Sequence, residues 1–238
     1  LISALLICFF GNETLFAQTV YQLSVENVLQ TNYVRSMVQD KYGYVWMATT
    51  SGLVRYDGYQ TEMFCHAAQG NRRLMQDFRV LTVKMWNNRF VWVRLRGRLY
   101  SCYDIETNRF VDYTGNGTYN EPVFGYTFMS NGDMVLWNDD GCYRIHFDGE
   151  SFSKTKLMLP KGKFLKYLQG DGEEYAVYAD GKIYKKNSNR YTLVYSAYLQ
   201  KEIRKVEVAV FYNGKIYIVS NGKVYEFNVS RRTMSLSE

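Results

Sequence analysis

Residues 40–57 of the sequence read DKYGYVWMATTSGLVRYD. A polar turn that ends at Gly43 precedes an apolar run at 45–48, and a second turn that ends at Gly52 precedes another short run. Glycine adopts the backbone angles that tight turns between antiparallel strands need, so such turns between apolar runs are a strong hairpin signal. The stretch therefore predicts a β-hairpin.

The same order of turn, strand and glycine-closed turn recurs four more times along the chain. The later copies end at Gly97, Gly141, Gly181 and Gly222, which follow the preceding such glycine by 45, 44, 40 and 41 residues. A period of about 40 to 45 residues is typical of four-stranded β-propeller blades. The sequence predicts an all-β chain with about five antiparallel blades, at approximately 34–64, 78–113, 122–156, 162–195 and 203–238.

The strand cores between the paired turns are apolar on consecutive residues, as in VWMA at 45–48 and FVWV at 90–93. A strand without clean alternation is buried on both faces of its sheet. Radially stacked blades provide this burial, because each sheet packs between two neighbours. Innermost strands are predicted at 34–39, 80–86, 123–129, 164–169 and 206–212, and outermost strands at 61–64, 110–113, 152–156, 191–195 and 233–237. A β-sandwich or a large barrel also uses hairpins, but the fixed period favours the propeller.

Composition agrees with a globular all-β chain. Of 238 residues 47% are hydrophobic, with 22 Tyr, 14 Phe and 4 Trp but only 2 Pro, and aromatic residues favour strands. The net charge of +6 comes from scattered basic residues. A basic surface can attract nucleic acid, anionic membrane or acidic polysaccharide, but a modest scattered excess indicates a solvated surface. We expect no contact with nucleic acid.

The first residues predict export. The run LISALLICFF at 1–10 has the length of a signal-peptide core and is too short to span a bilayer, and Ala17 before Gln18 fits a cleavage site. We interpret 1–17 as a signal peptide whose start is truncated, and 18–238 as a partial propeller. A buried strand or an uncleaved anchor are the alternatives. In an oxidising compartment the remaining Cys65, Cys102 and Cys142 form either one disulfide and one free thiol, or buried small side chains.

The residues at 40–57 closely resemble the two-component regulator propeller repeat. The resemblance is carried by Asp40, Gly43, Trp46, Thr49, Gly52, Leu53, Tyr56 and Asp57. It implies structural roles: aspartate and glycine shape the first turn, the tryptophan fills the wedge between blades, and Gly52 permits the second hairpin. The match is strict over about 34–64. When the later blades are aligned with blade one by counting back from the second glycine, the position of Trp46 is taken by Val91, Val135, Tyr175 and Ile216. In this alignment Trp92 and Trp137 are out of register with Trp46.

The resemblance also implies a function. This repeat is similar to that of the N-terminal periplasmic sensor region of hybrid two-component systems, which join a histidine kinase to a response regulator and control polysaccharide use. It implies a periplasmic input region that detects a polysaccharide-derived oligosaccharide. The implied partners are downstream propeller, immunoglobulin-like and transmembrane kinase domains of an inner-membrane protein, and a possible homodimer. Members have seven-bladed rings, so five blades are incomplete.

Two other functions stay open at this point. One is a secreted propeller lectin or protein-interaction scaffold without a kinase, and the other is a propeller glycosidase or lyase. The sequence has no GxxxxGK, HExxH or GxSxG motif, and its only histidines are His66 and His146. The acidic pairs at 139–140 and 173–174 fall at predicted turns, where acids are common. We therefore expect no catalysis by this chain, no cofactor and no metal.

Ligand binding is expected on the face where the loops between second and third strands converge. Arg94 and Arg96 lie in one such loop and offer guanidinium forks for carboxylates or sulfates on a glycan. Asn138 and Asp139 lie in the corresponding loop of the next blade. Trp92 either stacks on a sugar ring or belongs to the core. The alternative interpretation of the loop residues is that they are solvated turn residues.

Overall fold

The computed structural model describes residues 33–64, 79–114, 122–197, 203 and 205–237. Within these ranges twenty strands form five antiparallel sheets of four strands each, and one turn of 3-10 helix spans Arg96–Arg98. In every sheet the strands follow one another in chain order. The all-β prediction with five four-stranded antiparallel blades is confirmed.

The strands in chain order are β1 (Val34–Gln39), β2 (Val45–Thr49), β3 (Leu53–Tyr56), β4 (Thr61–Phe64), β5 (Val80–Trp86), β6 (Phe90–Leu95), β7 (Tyr100–Asp104), β8 (Arg109–Val111), β9 (Gly125–Phe128), β10 (Met134–Asn138), β11 (Gly141–Phe147), β12 (Phe152–Lys156), β13 (Phe164–Gly170), β14 (Glu173–Tyr178), β15 (Ile183–Asn187), β16 (Arg190–Tyr195), β17 (Val206–Tyr212), β18 (Lys215–Ser220), β19 (Lys223–Asn228) and β20 (Thr233–Leu236). We number the blades one to five in this order. No helix in the described ranges has the length and apolar character needed to cross a membrane.

Three predicted strands are shorter in the structure: the outer strand predicted at 233–237 ends at Leu236, and local hydrogen bonds explain the other two. The inner strand predicted at 123–129 is reduced to Gly125–Phe128, because the backbone N–H of Val123 donates to Arg98 of the preceding blade instead of to β10. The outer strand predicted at 110–113 is Arg109–Val111, because the Asp112 carboxylate accepts the N–H and the hydroxyl of Thr114 and ends the strand in a turn.

The blades stand side by side around a channel, with the first strand of each innermost. β1 packs beside β5, β9 beside β13, and β13 beside β17. The Trp86 ring stacks on Phe128 at 6.2 Å between centroids, which joins blade two to blade three. Val208, Val210 and Tyr212 on β17 are 49%, 42% and 71% exposed, so the face of blade five that points away from blade four is open. An open face at the last blade is what an incomplete ring leaves.

Polar contacts and one close backbone approach fix neighbouring blades to each other. The Ser36 hydroxyl accepts the N–H of Val83, and the Thr127 hydroxyl donates to the carbonyl of Tyr167 at 2.6 Å. A Cβ on Gly170 would lie 1.9 Å from the Phe211 ring of the next blade. Glycine is therefore required where β13 touches that ring.

A β-bulge lies near the start of four innermost strands, β1, β5, β13 and β17. Beyond the bulge Trp46 pairs with Val38, and Trp92 pairs with Lys84 at the same distance from the bulge. Trp92 is thus the counterpart of Trp46. The sequence alignment, which counted back from the second glycine, had placed Val91 at that position and was wrong. The turn before Gly97 is one residue shorter than the turn before Gly52, and counting from the glycine shifted the register.

Charged side chains form a network between blades three and four. Arg144 on β11 lies 3.0 Å from a carboxylate oxygen of Asp133 and 2.5 Å from one of Glu174 on β14. Burial alone would raise the pKa of Asp133, but hydrogen bonds from His146, Arg144 and Asn131 outweigh it and lower the pKa. For Glu174 burial is again outweighed, by the Tyr167 hydroxyl and by two nearby cations, so its pKa is also lowered.

Acid is expected to destabilise the fold through these carboxylates. The folded pKa values lie below the ordinary values of 3.8 for Asp133 and 4.5 for Glu174, so their stabilising contribution is complete above those values. The contribution is lost as the pH falls through the folded pKa values. Thermal melts from about pH 6 to about pH 3 should show a Tm that drops below about pH 4.5. A Tm that rises over that acidic range would contradict the assignment.

Two of the cysteines are buried and free. Cys102 lies on β7 and Cys142 on β11. Burial raises the pKa of both thiols, that of Cys142 to about 12, so both are protonated and act as small apolar side chains. Cys65 lies outside the described residues, as does the predicted signal peptide at 1–17.

Candidate functional site

A cavity of about 380 Å³ opens on the channel where the innermost strands of blades two to five meet. Such a volume lies near the lower end of ligand-binding pockets, about 300 to 1,000 Å³. It is lined by Lys84, Phe124, Gly125, Tyr126, Trp137, Leu165, Lys166, Glu207, Val208 and Ala209. The cavity is therefore formed by inner strands, not by the loops of one blade.

Strand register brings the cavity's side chains to the channel. Lys84 lies near the end of β5 opposite Trp92, and Lys166 directly follows the bulge of β13. A bulge bends the strand and redirects the side chains around it. On β9, Tyr126 lies opposite Leu136, on the face that packs against blade two. Two lysines from separate blades and one tyrosine between them thus border the same space.

The cavity is positively charged on one side. Burial lowers the pKa of Lys166, and the nearby charge of Lys84 lowers it further. Neither ammonium group has an ion-pair partner among the residues that the structure describes. Lys84 Nζ lies 5.7 Å from the centroid of the Tyr126 ring, within the range of a cation–π contact. Glu207 contributes one carboxylate at the blade-five side of the cavity.

An aromatic cluster supports the wall between blades two and three. The Trp92 ring lies 5.0 Å from Tyr100, 4.6 Å from Tyr113 and 5.6 Å from Tyr126 between centroids. Burial and the nearby Tyr100 raise the pKa of Tyr126 to about 12. The positive charge of Arg94 lowers this pKa, but its effect is smaller. Tyr126 therefore remains a neutral hydroxyl at physiological pH.

The structure separates the predicted ligand-binding residues into three positions. Arg94 is exposed at the end of β6, and its charge acts on the hydroxyls of Tyr100 and Tyr126 beside the cavity. Arg96 is exposed on the 3-10 turn. Trp92 is 1% exposed and enclosed by tyrosines, which favours the core interpretation over stacking on a sugar.

The loop of blade three is occupied by a turn. The Asn138 side-chain oxygen accepts the backbone N–H groups of Asp140 at 3.0 Å and of Gly141 at 3.1 Å, so it shapes the β10–β11 hairpin. Asp139 is exposed at the tip of that turn. Of the predicted ligand-binding residues, Arg94 is thus the one whose charge acts on a residue that lines the cavity.

The residues of the repeat motif hold blade one together. Asp40 accepts the N–H groups of Tyr42 and Tyr44 with one oxygen and the Trp46 indole N–H, at 2.7 Å, with the other. Gly43 has a φ of +89°, which an L side chain rarely adopts, in the turn that Asp40 closes. Trp46 is fully buried and packs at 5.0 Å from the Tyr103 ring of blade two.

The second turn of the motif has its own hydrogen bonds. The Thr49 hydroxyl donates to the carbonyl of Gly52 at 2.7 Å, and Leu53 after it is fully buried. The Tyr56 hydroxyl donates to the carbonyl of Gly58. The Asp57 carboxylate accepts two backbone N–H groups of the following turn, each at 2.8 Å. All eight motif residues therefore take part in turns or packing.

The acidic pair at 173–174 is held by ion pairs and hydrogen bonds. Glu173 and Glu174 begin β14 instead of lying in a turn, and Glu173 pairs with Lys185 at 2.9 Å. Glu174 accepts hydrogen bonds from Tyr167, Arg144 and Lys186. Glycoside hydrolysis needs one carboxyl group with a raised pKa as proton donor, whereas that of Glu174 is lowered.

The described residues also offer few side chains for histidine catalysis or metal binding. His146 Nδ1 lies 2.7 Å from an Asp133 oxygen, within the network between blades three and four. His66 lies outside the described residues. No group of three or more metal-ligating side chains is found in the ranges given above.

Sequence reasoning missed Lys84, Lys166 and Tyr126, because it assigned the innermost strands to structure alone. The available signal was a lysine within a mostly apolar strand, as in VLTVKMW at 80–86 and FLKYLQG at 164–170. A lysine in an inner strand either faces the channel or is paired, since unpaired lysines are almost never fully buried.

Comparisons with known proteins agree with the fold and with the repeat. Residues 28–51 match the family described as two component regulator propeller. The extracellular domain of the putative hybrid two component system BT3049 from B. thetaiotaomicron superposes with a TM-score of 0.58 at 20% identity, over 90% of this chain and 31% of that one. No curated protein matches the chain by sequence.

Two further solved structures have the same architecture. The extracellular domain of the putative hybrid two component system BT4673 from B. thetaiotaomicron gives a TM-score of 0.56 at 16% identity, over 91% of this chain and 28% of that one. PorZ, a surface component of the type-IX secretion system of Porphyromonas gingivalis, gives a TM-score of 0.52 at 15% identity. The match covers 86% of this chain and 27% of PorZ. The chain thus spans about three tenths of the length of these proteins. The resemblance seen in the sequence is confirmed: residues 28–51 match the two component regulator propeller repeat, and the fold of the chain is similar to that of two extracellular domains of putative hybrid two component systems.

Proposed function

We propose that the chain is part of the periplasmic input region of a two-component receptor and binds an oligosaccharide derived from a polysaccharide. The observation that carries the proposal is the regulator propeller repeat in a chain whose fold is shared with the extracellular domain of a hybrid two component system. The channel cavity, with polar groups at an aromatic wall, is the ligand site that the geometry supports best.

Signal transfer would use the contacts between blades. Lys84, Tyr126 and Lys166 come from blades two, three and four, so a ligand that touches all three favours one relative position of those blades. A ligand shifts a conformational equilibrium by its difference in affinity for the two states. The partners in this proposal are a downstream propeller, an immunoglobulin-like domain and a transmembrane kinase of the same inner-membrane protein, with a homodimer as the signalling unit.

Binding is expected to raise the thermal stability of the chain. A ligand that binds only the folded state at 100 times its Kd stabilises it by about 2.7 kcal/mol. Screening the chain against a panel of oligosaccharides by thermal shift should therefore give at least one compound that raises the Tm, while the component monosaccharides at equal concentration raise it less. A Tm unchanged by every oligosaccharide of the panel would contradict the proposal.

A second function is a secreted scaffold or lectin without a kinase. The observation in its favour is the similarity to PorZ, which is a bacterial surface component of a secretion system. Reading the gene downstream of the chain separates the two functions. A membrane helix followed by histidine-kinase motifs supports the receptor, and an open reading frame without them supports the scaffold. The glycosidase alternative gains no support from the acidic pairs described above.

A further inference from the structure

Two lysines that form no ion pair with any described residue line the cavity beside an aromatic wall. Lys84 and Lys166 line the cavity from blades two and four, and neither forms an ion pair within the described ranges. Elsewhere in those ranges partly buried cations such as Arg89 and Arg144 are paired with carboxylates at 2.8 to 3.0 Å. Lys166 is likewise partly buried but forms no ion pair in those ranges, so it differs from the cations that serve the fold, whereas Lys84 is exposed.

The positive charges of Lys84 and Lys166 repel each other across the cavity. Burial lowers the pKa of Lys166, and Lys84 adds to this through its charge, so the protonated form is less stable there than in water. An anion between the two ammonium groups would offset their repulsion and favour the protonated form of Lys166. Arg94 contributes further positive potential, since its charge acts on Tyr126 at the wall of the cavity.

The remaining lining suits a sugar ring. Phe124 is 41% exposed, and Tyr126 presents an aromatic ring with a neutral hydroxyl. Pockets for small ligands join apolar and aromatic surface to a few polar groups that fix orientation. Glu207 offers one hydrogen-bond acceptor for sugar hydroxyls on the blade-five side. The volume of about 380 Å³ lies within the range of small-ligand pockets, about 300 to 1,000 Å³.

We propose that the cavity binds an acidic saccharide, with its carboxylate or sulfate group between Lys84 and Lys166 and a sugar ring against Tyr126. The inference rests on the proposed function and adds to it the chemical class of the ligand. The acidic group supplies the charge that the cavity lacks, and the neutral remainder of the saccharide contacts the aromatic wall.

Isothermal titration of the full chain tests this with matched pairs of disaccharides. Each pair contains a uronate or sulfated disaccharide and the neutral disaccharide of the same linkage. The acidic member is expected to bind about tenfold tighter or more, and the difference should shrink at high salt. Lys84→Met and Lys166→Met should each weaken binding of the acidic member about tenfold and leave the neutral member nearly unchanged.

Controls separate the possible failures. Lys161→Met changes an exposed lysine outside the cavity and should leave the affinity unchanged. Thermal melts check that each variant is folded. Lys84→Gln and Lys166→Gln provide a second set of variants. Equal affinity for both members of every pair, or unaltered binding by the methionine variants, would overturn the inference and leave the proposed function standing. Inorganic sulfate binding as tightly as the acidic disaccharides would also overturn it, in favour of a free-anion site. Binding of no saccharide at all would contradict both proposals.

Discussion

Replacing Trp46 with alanine should lower the free energy of unfolding by about 3 to 5 kcal/mol, the usual cost of truncating a large aromatic side chain in a core. Trp46 is fully buried, and its ring lies 5.5 Å from Phe64 and 5.0 Å from Tyr103 of the next blade. Its indole N–H also donates to the buried Asp40, which would be left without that donor. Chemical denaturation followed by fluorescence or circular dichroism measures the loss.

The matched control for this prediction is Tyr59→Ala. Tyr59 is 92% exposed in the turn after β3, so its removal should change the unfolding free energy by less than about 0.5 kcal/mol. Trp46→Phe should give an intermediate loss, because it keeps aromatic packing but removes the indole N–H. An unchanged Tm for Trp46→Ala would show that the ring does not wedge the first two blades together.

The second large effect is expected from Arg144→Met, which should cost about 2 to 4 kcal/mol. Arg144 is 17% exposed and bridges Asp133 of blade three to Glu174 of blade four. Removing one partner from a buried charge network leaves the other charges uncompensated, which costs about 3 to 5 kcal/mol when burial is complete. The partial exposure here reduces the expected loss. Thermal or urea unfolding at neutral pH measures it.

The control for Arg144→Met is a surface ion pair. Lys182 and Asp180 lie 2.5 Å apart, but their side chains are 40% and 50% exposed, so Lys182→Met should leave the free energy of unfolding nearly unchanged. Without Arg144 the pKa values of both carboxyl groups rise, so acid destabilisation of the variant should begin at a higher pH than in the native chain. Equal stability of the two methionine variants would contradict a structural role for the network.

Most of the fold could be predicted from the sequence because glycine-closed turns leave a local signal. The spacing from Gly52 to Gly222 gave the blade number, and apolar runs between the turns gave the buried second strands. The strand ends were less predictable, since they depend on contacts between blades. The bond from Val123 to Arg98 of the preceding blade is one such contact.

Register was the harder part of the prediction. Counting back from Gly97 placed Trp92 one residue away from the position that Trp46 occupies in blade one. Pairing from the bulge in β5 shows instead that Trp92 and Trp46 are counterparts. Turn length varies between blades, whereas blades one, two, four and five share the same pairing of inner and second strands around the bulge. A bulge is visible only once the strands are paired, so the sequence offered no comparable reference point.

The candidate site could not be predicted in the same way. Lys84 and Lys166 are distant in sequence and meet only because the inner strands of separate blades share one channel. The sequence directed attention to arginines in loops, and of these Arg94 lies beside Tyr126 of the cavity wall. Sites built across blades depend on ring geometry, which no local pattern encodes.

We propose that the inner-strand cavity is where the chain binds its ligand. Hydrogen exchange with and without a saturating oligosaccharide, identified by the thermal-shift screen, tests it most directly. We expect slower exchange in peptides that cover β5, β9 and β13, with little change in the outermost strands. Slower exchange confined to outer strands or to the β6–β7 and β10–β11 turns would place the ligand elsewhere and contradict the claim.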